Sequence, residues 1–241
     1  MKATREEQQA LLTLAEIDRE AGKLNYALSA LPIYSELEAA EAALSSHAKR
    51  ARETADRRPH IETIINDCGA RVEQLSATIN RKQGQLESGE NMDSRQLIVL
   101  QGEIDGLKES RETIELEELE AMERLDALES EIESDALELS RLASVRDDLS
   151  GRRDRDVASL QSQIDEVRSR RDALARRIPS DILDAYEESR SMGGSGVVVM
   201  REDGSVDGGM DLSMIEIERV KALPADQVYV TEDTGAVVIR G

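Results

Sequence analysis

The chain has 241 residues, a formal net charge of −20 and only 2% aromatic residues, with neither Phe nor Trp. Such a composition, with 34% charged residues, is typical of long helices that pack through narrow apolar seams and excludes an aromatic-rich globular core. The acidic charge opposes binding to a phosphate backbone. The single Cys68 excludes an intramolecular disulfide and a multi-cysteine metal site.

The N-terminal residues, MKATREEQQA, lack the apolar run of a signal peptide. No segment reaches the roughly eighteen apolar residues that a membrane-spanning helix needs. We therefore expect a soluble, cytoplasmic protein that does not enter membranes.

Apolar residues recur at alternating steps of three and four in four segments of residues 1–178. The first segment contains Ile17, Ala21, Leu24, Leu28 and Leu31, and the second contains Ile61, Ile65, Cys68, Val72, Leu75, Ile79 and Leu86. The third contains Leu97, Leu100, Ile104, Leu107, Ile114, Ala121, Leu125, Leu128, Ile132, Leu139 and Leu142, and the fourth Val157, Leu160, Ile164, Val167, Leu174 and Ile178. This spacing predicts coiled-coil helices whose apolar residues face a partner helix.

A polar segment at residues 88–94, SGENMDS, predicts the turn between two long arms. Gly89 suits a helix C-terminus, and Asp93 or Ser94 suits the N-cap of the next helix. A short loop makes the two helices antiparallel neighbours. Folding back near residue 91 places position i beside position 182 − i, which pairs Cys68 with Ile114.

The same register predicts a bend shared by both arms. Pro32 interrupts the first arm, since a helix-interior proline loses a hydrogen bond and clashes with the preceding turn. The position opposite is about residue 150, where Gly151 follows Leu149 and Ser150 and the seam shifts its phase. We expect the helices of both arms to be interrupted at this distance from the turn.

Charge supports an antiparallel pairing of the arms. Residues 109–138 contain thirteen acidic and two basic residues. The pairing of position i with position 182 − i places a basic group opposite part of this acidic run: Lys49, Arg50, Arg52, Arg57 and Arg58. We interpret this group as a partner for the acidic arm in preference to a nucleic-acid site.

The sequence pattern changes after Ile178, where the coiled-coil spacing ends. Pro179 opens a short amphipathic helix, and GGSG at residues 193–196 reads as a flexible linker, with a phosphate-binding loop as the weaker alternative. Three strands follow in outline: one that enters a turn within GVVVMREDG at residues 196–204, and two at residues 228–230 and 236–239. Between the first two, Ser213 and Glu216 form a capping box that opens another helix.

Most of the chain resembles bacterial coiled-coil proteins that end in a four-cysteine zinc ribbon. The stretches that carry the resemblance are LESGENMDSRQLIVLQGEIDGLKESRETIELEELEAMERLDALE in the hairpin, RIPSDILDAYEESRSMGGSGVVV after it, and DGSVDGGMDLSMIEIERVKALPADQVYVTEDTGAVVIRG in the tail. The resemblance implies a helical hairpin with a small α+β domain of the zinc-ribbon type.

The family's zinc ligands are replaced in this chain. Val206, Gly209, Thr231 and Thr234 stand where the resemblance places the four cysteines. Val and Gly offer no side-chain ligand and Thr is a poor one, so we predict the fold without the metal. We further hypothesise that an apolar core replaces the zinc site, with strand residues Val197–Val199, Val228, Val230 and Val237–Ile239 packing on Met214, Ile217, Val220, Ile182 and Tyr186.

Other candidate sites are weak. His47 and His60 lie on polar helix faces without ligands at metal spacing, so we interpret them as solvated. Cys68 lies on the apolar seam and is interpreted as a buried small hydrophobe. No nucleophile–base pair, metal cluster or cofactor motif points to an enzyme.

The predicted architecture is mainly α: a coiled-coil hairpin over residues 1–178 and a zinc-ribbon-like domain without metal over residues 179–241. We expect a non-enzymatic scaffold or adaptor that presents the tail and the coiled-coil surface to protein partners. The alternative is nucleic-acid binding of the zinc-ribbon type, which the nine acidic and four basic residues from Met192 onward oppose. The sequence leaves the partner and the oligomeric state open.

Overall fold

The computed structural model describes residues 1–90, 93–207 and 212–241. The helices are α1 (Arg5–Ser29), α2 (Ile33–Ala55), α3 (Arg58–Ser88), α4 (Ser94–Ala175), α5 (Ser180–Ser191) and α6 (Met214–Ala222), and the strands are β1 (Val197–Met200), β2 (Tyr229–Val230) and β3 (Val237–Arg240). None of the described helices is both long and apolar enough to cross a membrane. The chain forms two compact units: unit 1 contains Met1–Tyr34 and Gly151–Gly241, and unit 2 contains Ser35–Ser150.

Unit 2 is a helical hairpin in which α2 and α3 run antiparallel to α4. Lys82 near the turn contacts Glu103 at 2.5 Å, while Arg57 farther away contacts Glu131 at 2.8 Å. The buried apolar residues of this unit include predicted seam positions: Cys68, Ile79, Leu100, Ile104, Ile114, Ala121 and Leu128. The seam and the antiparallel direction are therefore confirmed.

The turn has the helix-ending residues that the sequence indicates. Gly89 has φ 58°, in the left-handed region, and donates its N–H to the Gln85 carbonyl. Asp93 Oδ1 accepts from Gln96 N at 2.8 Å, and the Gln96 side chain accepts from Asp93 N at 2.8 Å. Asn91 and Met92, at the centre of the predicted turn, lie outside the described residues.

One contact between α3 and α4 can be compared with the 182 − i rule. The rule places Glu118 near Ile65, and the Glu118 carboxylate reaches Gly69, one turn along α3, where a Cβ would lie 3.3 Å from Oε1. The sequence reading missed a second interruption of the first arm. Residues 56–57 form a turn between α2 and α3, and Pro59 lies in the first turn of α3, where a proline is tolerated.

A helix break at the predicted height is present in one arm only, and the bend expected in the second arm stays a prediction. The first arm is interrupted at Pro32, between α1 and α2, as expected. The helix break at Gly151 is wrong, because α4 is helical through this residue. A helix-interior glycine costs only about 0.5–1 kcal/mol relative to alanine, which the long helix on both sides tolerates.

Unit 1 is built on a three-stranded sheet of order β1-β3-β2. β1 pairs with β3 in parallel, Val197 opposite Val237, and β2 pairs with β3 in antiparallel, Tyr229 opposite Val238. One apolar cluster joins the sheet to α1 and α5, with buried members Ala3, Ala10, Leu11, Leu14, Ala15, Ile178, Ile182, Tyr186, Val197, Val228, Val237 and Ile239. A second cluster contains Val198, Met200, Val220 and Val238, with Val206, Leu212, Ile217 and Tyr229 packed against it.

These two clusters contain most of the strand and helix residues that were expected to form the core of the tail. The exceptions are Met214, which is 76% exposed, and Val199, which belongs to neither cluster. The N-terminal segment is a contribution that the sequence reading missed: Ala3 N donates to the Asp226 carbonyl at 2.8 Å, and Val228 N donates to the Met1 carbonyl at 3.0 Å. Residues 1–15 thus share the core of the tail, so the division between the units does not coincide with the predicted boundary at residue 178.

Candidate functional site on the C-terminal module

Residues 179–241, here called the C-terminal module, hold the positions that match the zinc ligands of the resembled family. Thr231 Oγ1 and Thr234 Oγ1 lie 2.7 Å apart, within hydrogen-bond distance. Thr231 Oγ1 also accepts from Ala236 N at 2.9 Å, and Thr231 N donates to the Ala236 carbonyl at 3.0 Å. Hydroxyl and backbone hydrogen bonds therefore close this turn.

The first pair of positions is apolar in character. Val206 packs against the cluster that contains Val198, Met200 and Val238, and it forms an isolated antiparallel bridge with Met200. Gly209 lies outside the described residues. Among the described residues, no group of three His, Cys, Asp or Glu side chains is placed to hold a metal ion. The side chains at Val206, Thr231 and Thr234 do not fit zinc, which requires thiolate, imidazole or carboxylate donors.

The GGSG segment is a packed turn and not the flexible linker that we expected. Gly194 N donates to the Ser189 carbonyl at 2.9 Å. Gly196 has φ 73°, and a Cβ there would lie 2.5 Å from the Tyr186 ring. Glycine is needed because the backbone turns in the left-handed region while it approaches α5 closely.

A buried carboxylate connects α1, α4 and α5 within unit 1. Asp18 Oδ1 accepts from Arg171 Nε at 2.8 Å, and its Oδ2 accepts from the Tyr186 hydroxyl at 2.8 Å and also contacts Arg190. The Asp18 side chain is only 6% exposed. Arg171 reaches Glu187 as well, at 2.9 Å, and the Arg190 guanidinium lies 5.7 Å from the centre of the Tyr186 ring.

The surroundings of this cluster shift the pKa values of its members. Burial alone would raise the pKa of Asp18, but the hydrogen bonds from Arg171 and Tyr186 and the charges of Arg171 and Arg190 outweigh it, so the pKa lies below its ordinary value. Burial, together with the neighbouring Asp18 carboxylate, raises the pKa of Tyr186. Asp18 therefore stays ionised and Tyr186 protonated at neutral pH, which favours a structural role over proton transfer.

A cavity of about 630 Å³ beside this cluster is bordered by α1, α5 and β1. Its cationic side chains are engaged: Arg19 Nε donates to the Ala15 carbonyl at 3.2 Å, and Arg190 contacts Asp18. The described residues that line the cavity include no Cys, His or Lys. Its described lining therefore offers no thiol, imidazole or amine nucleophile.

The histidine predictions have different outcomes. His60 is exposed, as expected, but His47 is only 9% exposed. Its Nε2 lies 3.2 Å from Asp135 Oδ1 across the hairpin, and its Nδ1 lies 2.9 Å from Arg50. The interpretation of His47 as solvated is wrong, because α4 covers it. The sequence did contain a signal for this contact, because the 182 − i relation places Asp135 opposite His47.

Cys68 and two residues of the basic group, Arg57 and Arg58, are placed as the sequence indicates. Cys68 is buried at 4% exposure in the seam. Arg57 pairs with Glu131 at 2.8 Å, and Arg58 pairs with Glu129 at 2.9 Å. Two members of the basic group thus pair with the acidic arm, as expected.

The outer face of α6 carries large apolar side chains in contact with solvent. Met214 is 76% and Ile215 is 67% exposed, while Val220 on the opposite face is buried at 1%. With Glu218, Arg219 and Ala222 they line a shallow concave surface. The capping box fixes the start of this helix: Ser213 Oγ accepts from Glu216 N, and the Glu216 carboxylate accepts from Ser213 N.

The fold is shared with known proteins. Residues 14–194 match the family model of the CT398-like coiled coil hairpin domain. Uncharacterized proteins from two strains of Mycobacterium tuberculosis are 26% identical over 254 aligned positions, which cover 100% of this chain and 98% of each relative. A solved structure from Mycobacterium smegmatis has a TM-score of 0.66 at 23% identity with full coverage of both chains. CT398 from Chlamydia trachomatis has a TM-score of 0.66 at 16% identity and covers 98% of each chain.

The chain therefore belongs to the CT398-like coiled-coil hairpin family. The family match confirms the hairpin part of the resemblance and ends before β1, so the zinc-ribbon origin of the tail stays a prediction. The solved structures, at these identities, support the fold alone.

Proposed function

We propose that the chain is a non-enzymatic, cytoplasmic adaptor that presents its C-terminal module and its coiled-coil surface to protein partners. The observation that carries the proposal is the outer face of α6. Met214 and Ile215 are more than two-thirds exposed on a helix whose opposite side is anchored in the module's core. A neighbouring pair of large apolar side chains held outward on a fixed helix is a feature of protein–protein contact sites.

The packing of the module supports its role as a fixed platform. One sheet face packs on α1 and α5, and the other packs on α6. The Asp18 cluster adds charged hydrogen bonds between α1, α4 and α5. Because the sheet is held on both faces, α6 presents the same surface to every partner, and little conformational freedom is lost on binding.

Site-specific photo-cross-linking in cells of the producing organism tests the proposal. A photo-reactive residue at Ile215 in the whole chain is expected to give a reproducible protein adduct. The same residue at Met192, which is exposed to a similar degree outside α6, serves as the matched control. The substitution pair M214S/I215S should lower capture at a neighbouring exposed position, such as Glu218, by about tenfold.

Two results would overturn the proposal. Equal adducts at Ile215 and Met192 would show that α6 has no preferred partner. Adducts that disappear on nuclease treatment would favour the alternative, a nucleic-acid-binding protein. Point substitutions are preferred to deletion of the tail, because deletion would also expose the part of the core that α1 contributes.

A further inference from the structure

A second exposed apolar surface lies on α4, within unit 2. Leu116 is 63%, Leu119 is 53% and Met122 is 49% exposed. Successive members are three residues apart, so they lie side by side on one helix face. We call these three residues the outer stripe. At about 100° per residue, the stripe lies largely opposite Ile114 and Ala121, which are buried in the seam.

The outer stripe is surrounded by carboxylates. Glu112 and Glu120 lie four residues before and after Leu116, Glu123 lies four after Leu119, and Asp126 lies four after Met122. In the described part of the chain these four carboxylates make no ion pair, whereas Glu117, Glu129 and Glu131 pair across the hairpin. The nearby Arg124 donates its Nε–H to the Glu120 carbonyl at 3.0 Å.

Like charges without counterions repel one another, and a cationic partner relieves that repulsion. A second copy of this chain, with its net charge of −20, adds negative charge to the same face. Nucleic acids and anionic lipid surfaces do the same. Charge complementarity therefore selects a partner that carries both apolar and basic side chains.

The shape of the surface selects a helix. The stripe spans about 9 Å along α4 at 1.5 Å per residue, and the rows of side chains on a helix accept the rows of a second helix. An amphipathic helix can bury its apolar side on a neighbouring helix while its flanking cations reach acidic side chains.

We infer that the outer stripe docks a basic amphipathic helix of a partner protein, with its apolar residues on Leu116, Leu119 and Met122 and its cations beside Glu112, Glu120, Glu123 and Asp126. The inference rests on the proposed adaptor function and names the chemistry of a partner for the coiled-coil surface.

Fluorescence anisotropy with the whole chain tests the inference. The probe is a synthetic amphipathic helical peptide of about 21 residues, built of Leu and Lys, at about 150 mM salt. We expect L116S/L119S/M122S and E112Q/E120Q/E123Q/D126N each to weaken binding about tenfold. The matched control is I98S/L137S, which removes side chains that are 73% and 69% exposed elsewhere on α4 and should change binding less than about twofold.

The fold should survive these changes, since every substituted apolar side chain is about half exposed or more, and thermal unfolding checks this. Wild-type affinity in both stripe variants would overturn the inference, as would an equal loss in the control or equal binding of a Leu/Glu peptide. If the wild-type chain is a dimer and the stripe variant is a monomer, the outer stripe binds a second copy of this chain. That result would also overturn the inference. Cross-linking at Ile215 could fail while the peptide still binds in a way that depends on the outer stripe. That result would count against the α6 site alone.

Discussion

Asp18 shows how one residue joins distant parts of the chain. It lies on α1, and its partners Arg171, Tyr186 and Arg190 come from α4 and α5. Because the carboxylate is 6% exposed, its charge is tolerated only while these donors surround it.

We predict that Asp18→Asn destabilises unit 1 by roughly 2–3 kcal/mol at pH 7, because hydrogen bonds to charged groups are lost and the Arg171 charge loses its partner. The pKa of Asp18 is lowered in the folded state, so its contribution is complete above the unfolded pKa of about 4 and is lost as the pH falls through the lower folded pKa. The difference between variant and wild type should therefore shrink below about pH 4.

Urea unfolding at a series of pH values measures this difference. Asp172→Asn, the same chemical change at an exposed residue of α4, is the matched control and should have little effect. A constant difference down to about pH 2 would contradict the role of the Asp18 charge.

A second prediction concerns the turn that contains Thr231 and Thr234. Thr231→Val removes the acceptor for the buried Ala236 N–H and should destabilise the module by about 1–3 kcal/mol. Thr231→Ser keeps the hydroxyl and should retain most of the stability. Equal thermal shifts in the two variants would show that the methyl group, and not the hydrogen bond, stabilises the turn.

At the scale of elements, β3 is the strand that both apolar clusters share. Val237 and Ile239 belong to the cluster with α1, while Val238 belongs to the cluster with α6. The β-branched runs in the sequence are therefore buried on both faces of a sheet, which gives the module two thin cores. Such a strand tolerates no charge on either side.

We predict that Val238→Asp unfolds the module, because a carboxylate without a partner would replace a side chain that is 1% exposed. Ile215→Asp, on the exposed face of α6, is the control and should leave the fold intact. Hydrogen exchange by peptide should show the loss in β1, β3 and α1, with α3 still protected. Protected β1 and β3 in Val238→Asp would contradict the two-cluster core.

The local signals in the sequence predicted local structure well. The alternating steps of three and four placed the seam, Gly89 ended α3, and Ser213 with Glu216 capped α6. Each of these depends on neighbours within a few residues. The Gly151 break failed because a glycine weakens a long helix without ending it.

The long-range contacts could not be read in the same way. Asp18 and Tyr186 are 168 positions apart, and nothing in the periodicity of either segment indicates that they meet. Ala10, Leu11 and Leu14 were assigned to no core, because their burial depends on a sheet formed by residues far along the chain. His47 was missed because its burial depends on the exact height of Asp135 in the opposite arm.

At the scale of the whole molecule, the net charge of −20 opposes the approach of polyanions. We predict that affinity for DNA or RNA is weak at about 50 mM salt and lost by about 150 mM, because few phosphate contacts are available and these are salt-sensitive. Filter binding across this range measures it, and R152Q/R153Q/R155Q should remove the residual binding. Tight, sequence-dependent binding at about 150 mM salt would instead favour the nucleic-acid alternative.

Unit 1 brings the first 34 residues and the last 91 into one compact unit. The proposal that α6 is a docking surface requires this unit to keep its fold without metal. Hydrogen–deuterium exchange of the whole chain after treatment with a metal chelator tests this most directly. We predict that amides of β1 and β3 remain protected at least about a hundredfold, together with α1, and that the chelator changes nothing. Unprotected strand amides, or protection that the chelator abolishes, would contradict a metal-free module built on α1.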